Sequence, residues 1–410
     1  MKLNGKEKRW ILYDVGNSAF VLLVATIIPI YFNYLAGKAG LSDVDYLAYW
    51  GYAASICTVI VAILGPVLGT IADTKGYKKP ICMISILIGT IACSLLGLMV
   101  QWMAFLIVFL IAKVGFSASL IFYDSMLSDI TDEERMDYVS SQGYAWGYIG
   151  SCVPFVLCLV IVLGSDPLGI RMETAMGIAF VLVAVWWLLM SLPLLKNYEQ
   201  KYYVEKKPHA IAQSFKRLGE TFKNMKEEKQ VFMFLLAFFF YIDGVYTIID
   251  MATAYGSALG LDSTGLLLAL LVTQIVAFPC AIIFGNLSYR IRTEKLIIVC
   301  IFAYLGIAIF AVFLKTQLQF WILAILVGMF QGGIQALSRS YFTKIIPEEH
   351  SGEYFGLMDI CGKGASFVGT TIVSIVSQLT GNISMGVGMI AILFCIGIVI
   401  FLKAVSMSRN

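Results

Sequence analysis

The sequence predicts an all-α integral membrane protein of about twelve transmembrane helices in two six-helix, pseudo-symmetric bundles. Three observations predict it: an apolar composition, apolar runs of bilayer length, and features that recur at a constant offset between the two halves of the chain.

Composition comes first. The 410 residues are 60% hydrophobic and 13% charged, with a mean hydropathy of +0.85. An ordinary soluble domain is about 25% charged, and a chain this apolar has too few polar groups to cover a water-facing surface. In lipid every backbone N–H and C=O must be paired internally, which leaves helices or a closed barrel. The apolar runs do not alternate and extend over roughly 18–25 residues, which selects helices. A net charge of +3 argues against a nucleic-acid partner, which needs a strongly basic face. The nine cysteines form no C-x-x-C pair. They read as small buried hydrophobes, not as a disulfide framework or zinc site. The first apolar run lacks a small-residue cleavage site and reads as a retained span.

The spans are expected, in order, near residues 17–36, 46–71, 80–100, 102–127, 139–163 and 172–194, then 231–256, 264–289, 295–314, 318–342, 353–376 and 381–404. The expected division is a first bundle over 1–195, a polar central loop over 196–230, read as a solvated linker helix, and a second bundle over 231–410. Basic residues set the orientation. One side holds Lys2, Lys6, Lys8, Arg9, Lys75, Lys78, Lys79, Arg135, nine Lys/Arg of the central loop, Arg290, Arg292, Lys295, Arg339, Lys344, Lys403 and Arg409. The other holds Lys38, Arg171 and Lys315. Both termini and the central loop are therefore expected in the cytoplasm, with the protein in the plasma or inner membrane.

The halves carry matched features. Gly285 follows Gly69 by 216 positions, Glu348-Glu349 follow Glu133-Glu134 by 215, and Arg339-Ser340 follow Asp124-Ser125 by 215. Constant spacing across unrelated loops points to duplication of a six-helix unit, with a site expected between the units near the membrane midplane.

The loop between the second and third spans reads Gly69-Thr70-Ile71-Ala72-Asp73-Thr74-Lys75-Gly76-Tyr77-Lys78-Lys79. It resembles the major-facilitator loop signature, G-x-L-A-D-R-x-G-R-K. Gly69 lets two helices approach, Gly76 permits a tight turn, and Asp73 can face a helix N-terminus of the other half. The second copy, Gly285-Asn286-Leu287-Ser288-Tyr289-Arg290, has lost the acid, so any latch built on the pair is asymmetric.

A closer resemblance rests on Leu12-Tyr13-Asp14 with Asn17-Ser18-Ala19-Phe20, Phe122-Tyr123-Asp124-Ser125, Tyr241-Ile242-Asp243-Gly244-Val245-Tyr246-Thr247, Gly332-Gly333-Ile334-Gln335-Ala336-Leu337-Ser338-Arg339-Ser340, Glu353-Tyr354-Phe355-Gly356 and Gly362-Lys363-Gly364-Ala365-Ser366-Phe367. Together they are similar to the vacuole-effluxer, or autophagy-related amino-acid exporter, family and its bacterial-type members. The resemblance covers both halves. It implies the major facilitator fold and transport by alternating access, with amino-acid efflux as the role of the fungal vacuolar members.

Ionisable residues inside spans are costly, so each is a functional candidate. Lys113 lies mid-span in the fourth helix, with Asp124 three turns on. In the seventh, Asp243, Tyr246 and Asp250 recur on one face. In the eleventh, Asp359 and Lys363 are four apart and can pair. Gln331, Gln335, Ser338 and Arg339 form a polar stripe down the tenth. The expected substrate-binding set is Lys113, Asp243, Tyr246, Gln331, Gln335 and Lys363: lysines for a carboxylate or phosphate, Asp243 for an ammonium or a proton. Desolvation raises a buried carboxylate's pKa into the range where it can carry one, so Asp243, Asp250 and Asp14 are the proton-coupling candidates. Asp73, Asp124 and Arg339 are the gating candidates. The bland readings are a silent Asp359–Lys363 pair, a helix cap at Asp14, a snorkelling Lys113, topology anchors at Asp124 and Arg339, and packing roles for Tyr144, Trp146 and Tyr148.

No G-x-x-x-x-G-K-[ST] loop is present, so no ATP motor is encoded here. His209 and His350 fall in expected loops, outside H-E-x-x-H zinc chemistry. The expected protein is a non-enzymatic, cofactor-free and metal-free monomer in the bilayer that moves a small polar solute, an amino acid or related zwitterion, with protons as the candidate coupling ion. The rival expectations are a carrier of organic anions or amphiphiles, and a receptor on a transporter fold that translocates nothing.

Overall fold

The computed structural model describes residues 2–165, 167, 169–206, 216, 219–220 and 228–407. Among the described residues, twelve helices are long and apolar enough to cross a bilayer. In chain order they are α1 (Gly5–Lys38), α2 (Asp43–Ala72), α3 (Lys78–Leu95), α4 (Trp102–Ser125), α5 (Met136–Leu163), α6 (Met172–Asn197), α7 (Lys229–Ala258), α8 (Ser263–Leu287), α9 (Thr293–Val312), α10 (Gln317–Ile345), α11 (Ser351–Thr380) and α12 (Ile383–Met407). Most of the linker helix expected in the central loop, and His209 with it, lies outside the described residues; Lys216, Gly219 and Glu220 within it are helical.

The first span departs from the expectation of 17–36. Its helix begins at Gly5, where Asn4 and Glu7 form a reciprocal capping box. Glu7 is fully buried and accepts bonds from Arg135 Nε at 2.7 Å, Arg135 Nη2 at 2.8 Å and Thr131 at 2.9 Å. A basic, polar stretch that looks like a tail is thus a helical turn held by one carboxylate. The helix breaks at Thr26. Pro29 has no N–H to offer the carbonyl of Ala25, and the Thr26 hydroxyl donates back to Leu22 O at 2.6 Å, as buried hydroxyls do at such breaks.

Each set of six spans has its own aromatic-rich core. Trp10, Tyr13, Phe20, Phe105 and Trp187 anchor the first, and Phe234, Tyr241, Tyr304, Phe342 and Phe401 the second. Large apolar side chains such as Ile63, Val160, Leu189, Phe302 and Val399 stay exposed on the outside. In water they would be a liability; in lipid they are the expected surface. Six cysteines are buried and all are free.

The halves meet along α2–α11 and α5–α8, with α10 packed on α5. At Gly69 the backbone of α2 lies directly against the Gly352 carbonyl of α11, where any Cβ would collide. Gly76 turns the loop with φ +78°. Cross-half hydrogen bonds and ion pairs cluster between the end of the bundle that carries the termini and Tyr148–Gln335 near the middle of α5. The molecule is closed on the termini side.

Candidate functional site

The site has two layers. The deeper layer is a cluster of half-buried polar side chains contributed by both halves. Lys113 on α4 has no ion-pair partner among the described residues; its ammonium lies 5.8 Å from the Phe109 ring centroid. Asp359 and Lys363, one turn apart on α11, form an ion pair. Buried Cys57 of α2 lies within electrostatic reach of Lys113, Lys363 and Asp359. Tyr246 of α7 feels Asp359, Asp124 and Asp250. Tyr148 of α5 donates to Gln335 Oε1 of α10 at 2.6 Å and also reaches Gln331. Tyr144 stands beside it, ring centroids 6.0 Å apart. Two cations and one anion from the two halves thus lie near one another, with aromatic and amide side chains beside them.

Asp243 does not join this cluster. It is fully buried, and its Oδ1 accepts the Gly369 N–H at 2.9 Å and the Thr247 hydroxyl at 3.2 Å, tying α7 to α11. Its Oδ2 has no hydrogen-bond partner among the described residues. Asp250 lies two turns on along the same side of α7 yet is exposed, while Tyr246 is half-buried. The shared face read from the sequence thus spans two environments: α11 covers Asp243, while Asp250 is exposed.

The second layer is the floor. Arg339 of α10 is 3% exposed and wholly engaged. Its Nη1 lies 2.9 Å from Asp124 and 3.5 Å from Asp14. Nε donates to Ser140 Oγ and Nη2 to Ser140 O, both at 2.9 Å. The guanidinium stacks between Trp10 at 4.6 Å and Tyr144 at 4.3 Å. Asp14 also accepts the Tyr123 hydroxyl at 2.8 Å. It sits mid-helix in α1, so it is no helix cap; it is the second acid on Arg339.

Below the floor are two latches. Asp73 aims its carboxylate at the start of α11, accepting the Gly352 N–H at 2.8 Å and the Glu353 N–H at 2.9 Å, where the helix dipole favours negative charge. Lys78, fully buried, donates to Ser351 Oγ at 2.9 Å and sits 3.8 Å from Asp73 and 3.7 Å from Asp129. Lys75 is exposed and instead meets Glu205 and the Tyr203 ring.

The second latch uses residues missed in the sequence. Asp137, in the first turn of α5, accepts from Thr293 at 2.6 Å, Ser340 at 2.5 Å and Lys344 at 2.7 Å. By the offset of 215, Asp137 matches Gly352 and Lys344 matches Asp129. The acid lost at Tyr289 is replaced from the opposite partner, a signal already present in the repeat register. Where a carboxylate takes part in these cross-half contacts, it comes from the first six helices and its donor from the last six, while Lys78 donating to Ser351 runs the other way. Asp73, His350 and Glu353 also converge within 4.8 Å, but both Asp73 oxygens already accept backbone N–H groups, with Lys78 alongside.

Comparison with known proteins agrees with this architecture. The family model described as "Vacuole effluxer Atg22 like" matches residues 6–136 and 128–410. A protein of Bacillus subtilis (strain 168) named as an uncharacterized MFS-type transporter, YxiO, is 43% identical over 400 residues, 96% of this chain and 94% of that protein. Autophagy-related protein 22 of Vanderwaltozyma polyspora is 21% identical over 472 residues, 96% of this chain and 89% of that protein. Among solved structures, the human organic anion transporter MFSD10 (TETRAN) matches with TM-score 0.71 at 11% identity, covering 98% of this chain and 100% of that one. The outward-conformation structure of the major facilitator superfamily transporter FucP matches with TM-score 0.70 at 13% identity, covering 98% and 97%. These relatives are transporters, not enzymes. With its family model spanning nearly the whole chain, the protein belongs to the Atg22-like vacuole effluxer family and has the major facilitator fold.

Proposed function

We propose that this protein is a secondary transporter that moves an amino acid or related zwitterion across a plasma or inner membrane by alternating access. What supports the reading is that Asp359, ion-paired with Lys363, lies within electrostatic reach of Asp124, which pairs with Arg339 across the halves. The cations would hold the solute carboxylate, with Asp359 and Tyr246 meeting its amine and Gln331 and Gln335 flanking it. Residues 1–195 and 231–410 would rock about this cluster, the loop 196–230 tethering them. The excess of basic residues on the termini side supports a cytoplasmic placement of the termini, and on that reading the described state is closed to the cytoplasm. Opening inward would break Arg339 from Asp124 and Asp14, Asp73 from α11, and Asp137 from Lys344. Protons are the proposed coupling ion, with Asp243 the first candidate because one oxygen is buried and unpartnered among the described residues; Asp14 and Asp250 follow. One chain contains the whole path, so a monomer suffices.

The test is counterflow in proteoliposomes with labelled amino acids, peptides and organic acids. Accumulation of an amino acid, lost in Lys113→Ala, supports the reading; no flux of any of them by inserted protein contradicts it. A second reading, an organic-anion carrier, is favoured by Lys113, which has no ion-pair partner among the described residues and so adds positive charge. Competition by carboxylates lacking an amine would select it.

A further inference from the structure

Arg339 comes from the last six helices, but the cage that holds it belongs to the first six. Trp10 and Asp14 stand on α1, Tyr123 and Asp124 on α4, and Tyr144 on α5. The guanidinium lies 4.6 Å from the Trp10 ring, 5.4 Å from Tyr123 and 4.3 Å from Tyr144, all within reach of a cation–π attraction. Asp124 at 2.9 Å and Asp14 at 3.5 Å supply the charge. Gly143 of α5 makes the room: a Cβ there would lie 2.7 Å from Asp14 Oδ2 and 3.0 Å from Arg339 Nη2.

The bonds that shape the cage lie within the first half. Trp10 Nε1 donates to Tyr123 O at 3.0 Å, and the two rings stack with centroids 4.4 Å apart. The Tyr123 hydroxyl donates to Asp14 Oδ2 at 2.8 Å, and the Tyr13 ring packs on Tyr123 at 4.5 Å. Arg339 can withdraw without breaking any of them. Its withdrawal does leave charge behind. Among the described residues Arg339 is the only cation paired with Asp14 or Asp124, and Asp14 is 5% exposed. Stripping a buried carboxylate of its partner costs several kcal/mol, so opening is favoured when another cation takes the vacated place.

We propose that this aromatic and acidic cage is a second binding site for the solute's amine. As the halves part on the termini side, an organic ammonium replaces the Arg339 guanidinium between the rings and the two acids. Arg339 and the amine compete for one cage, so a loaded carrier opens and an empty one stays shut. This rests on the alternating-access reading of an amine-bearing solute and deepens it. The cage takes small ammonium and guanidinium ions and repels carboxylates.

The test reads pulsed electron-spin distances between labels at Glu134→Cys and Glu349→Cys, which are exposed in the loops just before α5 and α11. The full chain is used, in lipid, with other reactive cysteines replaced and ionic strength held constant. The probes are ethylammonium and methylguanidinium, with acetate as the carboxylate control. Each cation should raise the long-distance, open fraction about three- to tenfold, and acetate should not. Tyr144→Leu should remove most of that response. A response that survives Tyr144→Leu but is lost in Asp359→Asn puts the amine in the central cluster and overturns the cage. Arg339→Ala without added cation separates the two ideas, with Asp124→Asn in its place should that variant not insert. If it opens the gate while neither cation shifts the unsubstituted chain, only the cage fails; if it leaves the distances unchanged, the gating reading beneath the cage fails with it.

Discussion

Arg339 and Asp124 occupy matching positions of the two repeats, 215 residues apart, and meet at 2.9 Å across the interface between them. The two matched positions carry opposite charges that find each other, so the repeat register brings the proposed gate together.

Arg339→Lys should not be silent. Lysine keeps the charge but loses the fork that spans Asp124 and Ser140 and the stack between Trp10 and Tyr144. Counterflow should fall about tenfold with insertion unchanged, as expected for loss of about 1.4 kcal/mol from the closed state. Lysine and arginine forms of equal rate would remove Arg339 from the gate.

The Asp137–Lys344 latch should tolerate exchange better than loss. Asp137→Ala removes the acceptor shared by Ser340, Thr293 and Lys344, a cost of about 1–3 kcal/mol to the closed form. Asp137→Lys alone should lose most transport, and joining it to Lys344→Asp should recover a measurable part. Equal rates in the single and paired exchanges would deny that these two charges act on each other.

Gly69 is a steric prediction. A side chain there meets the Gly352 carbonyl backbone, which cannot swing away. Gly69→Val should insert normally yet fail to close on the termini side, with transport near background; wild-type transport would mean that the α2–α11 crossing is looser than described.

Asp243→Asn separates binding from coupling. Because Asp243 lies outside the Lys113 cluster and against Gly369, the amide should preserve exchange of labelled for unlabelled solute while abolishing accumulation driven by a pH gradient. Loss of both would make Asp243 a structural tie between α7 and α11 only.

The twelve spans were legible because lipid imposes long apolar runs, and most ends fall within a few residues of the helices found. The first start was not legible: Glu7 and its basic neighbours look like a tail, and only the Asn4–Glu7 capping box marks a turn there. Asp73, Asp124 and Arg339 were readable from motif and repeat offset. Asp137 and Lys344 were passed over because they sit at loop edges, where charge is ordinary, although the same offset relates them to Gly352 and Asp129. Asp243 was seen as deep, but helical periodicity cannot say that α11 lies over it while leaving Asp250 open.

The most direct test of the account labels the central cluster from each side. With Tyr246→Cys in a background lacking other reactive cysteines, a membrane-impermeant maleimide should react from the side opposite the termini and scarcely from the termini side. Adding Asp124→Asn should transfer reactivity to the termini side. Equal labelling from both faces, or no transfer on removing the Asp124 charge, would contradict an alternating-access path closed by Arg339 and Asp124.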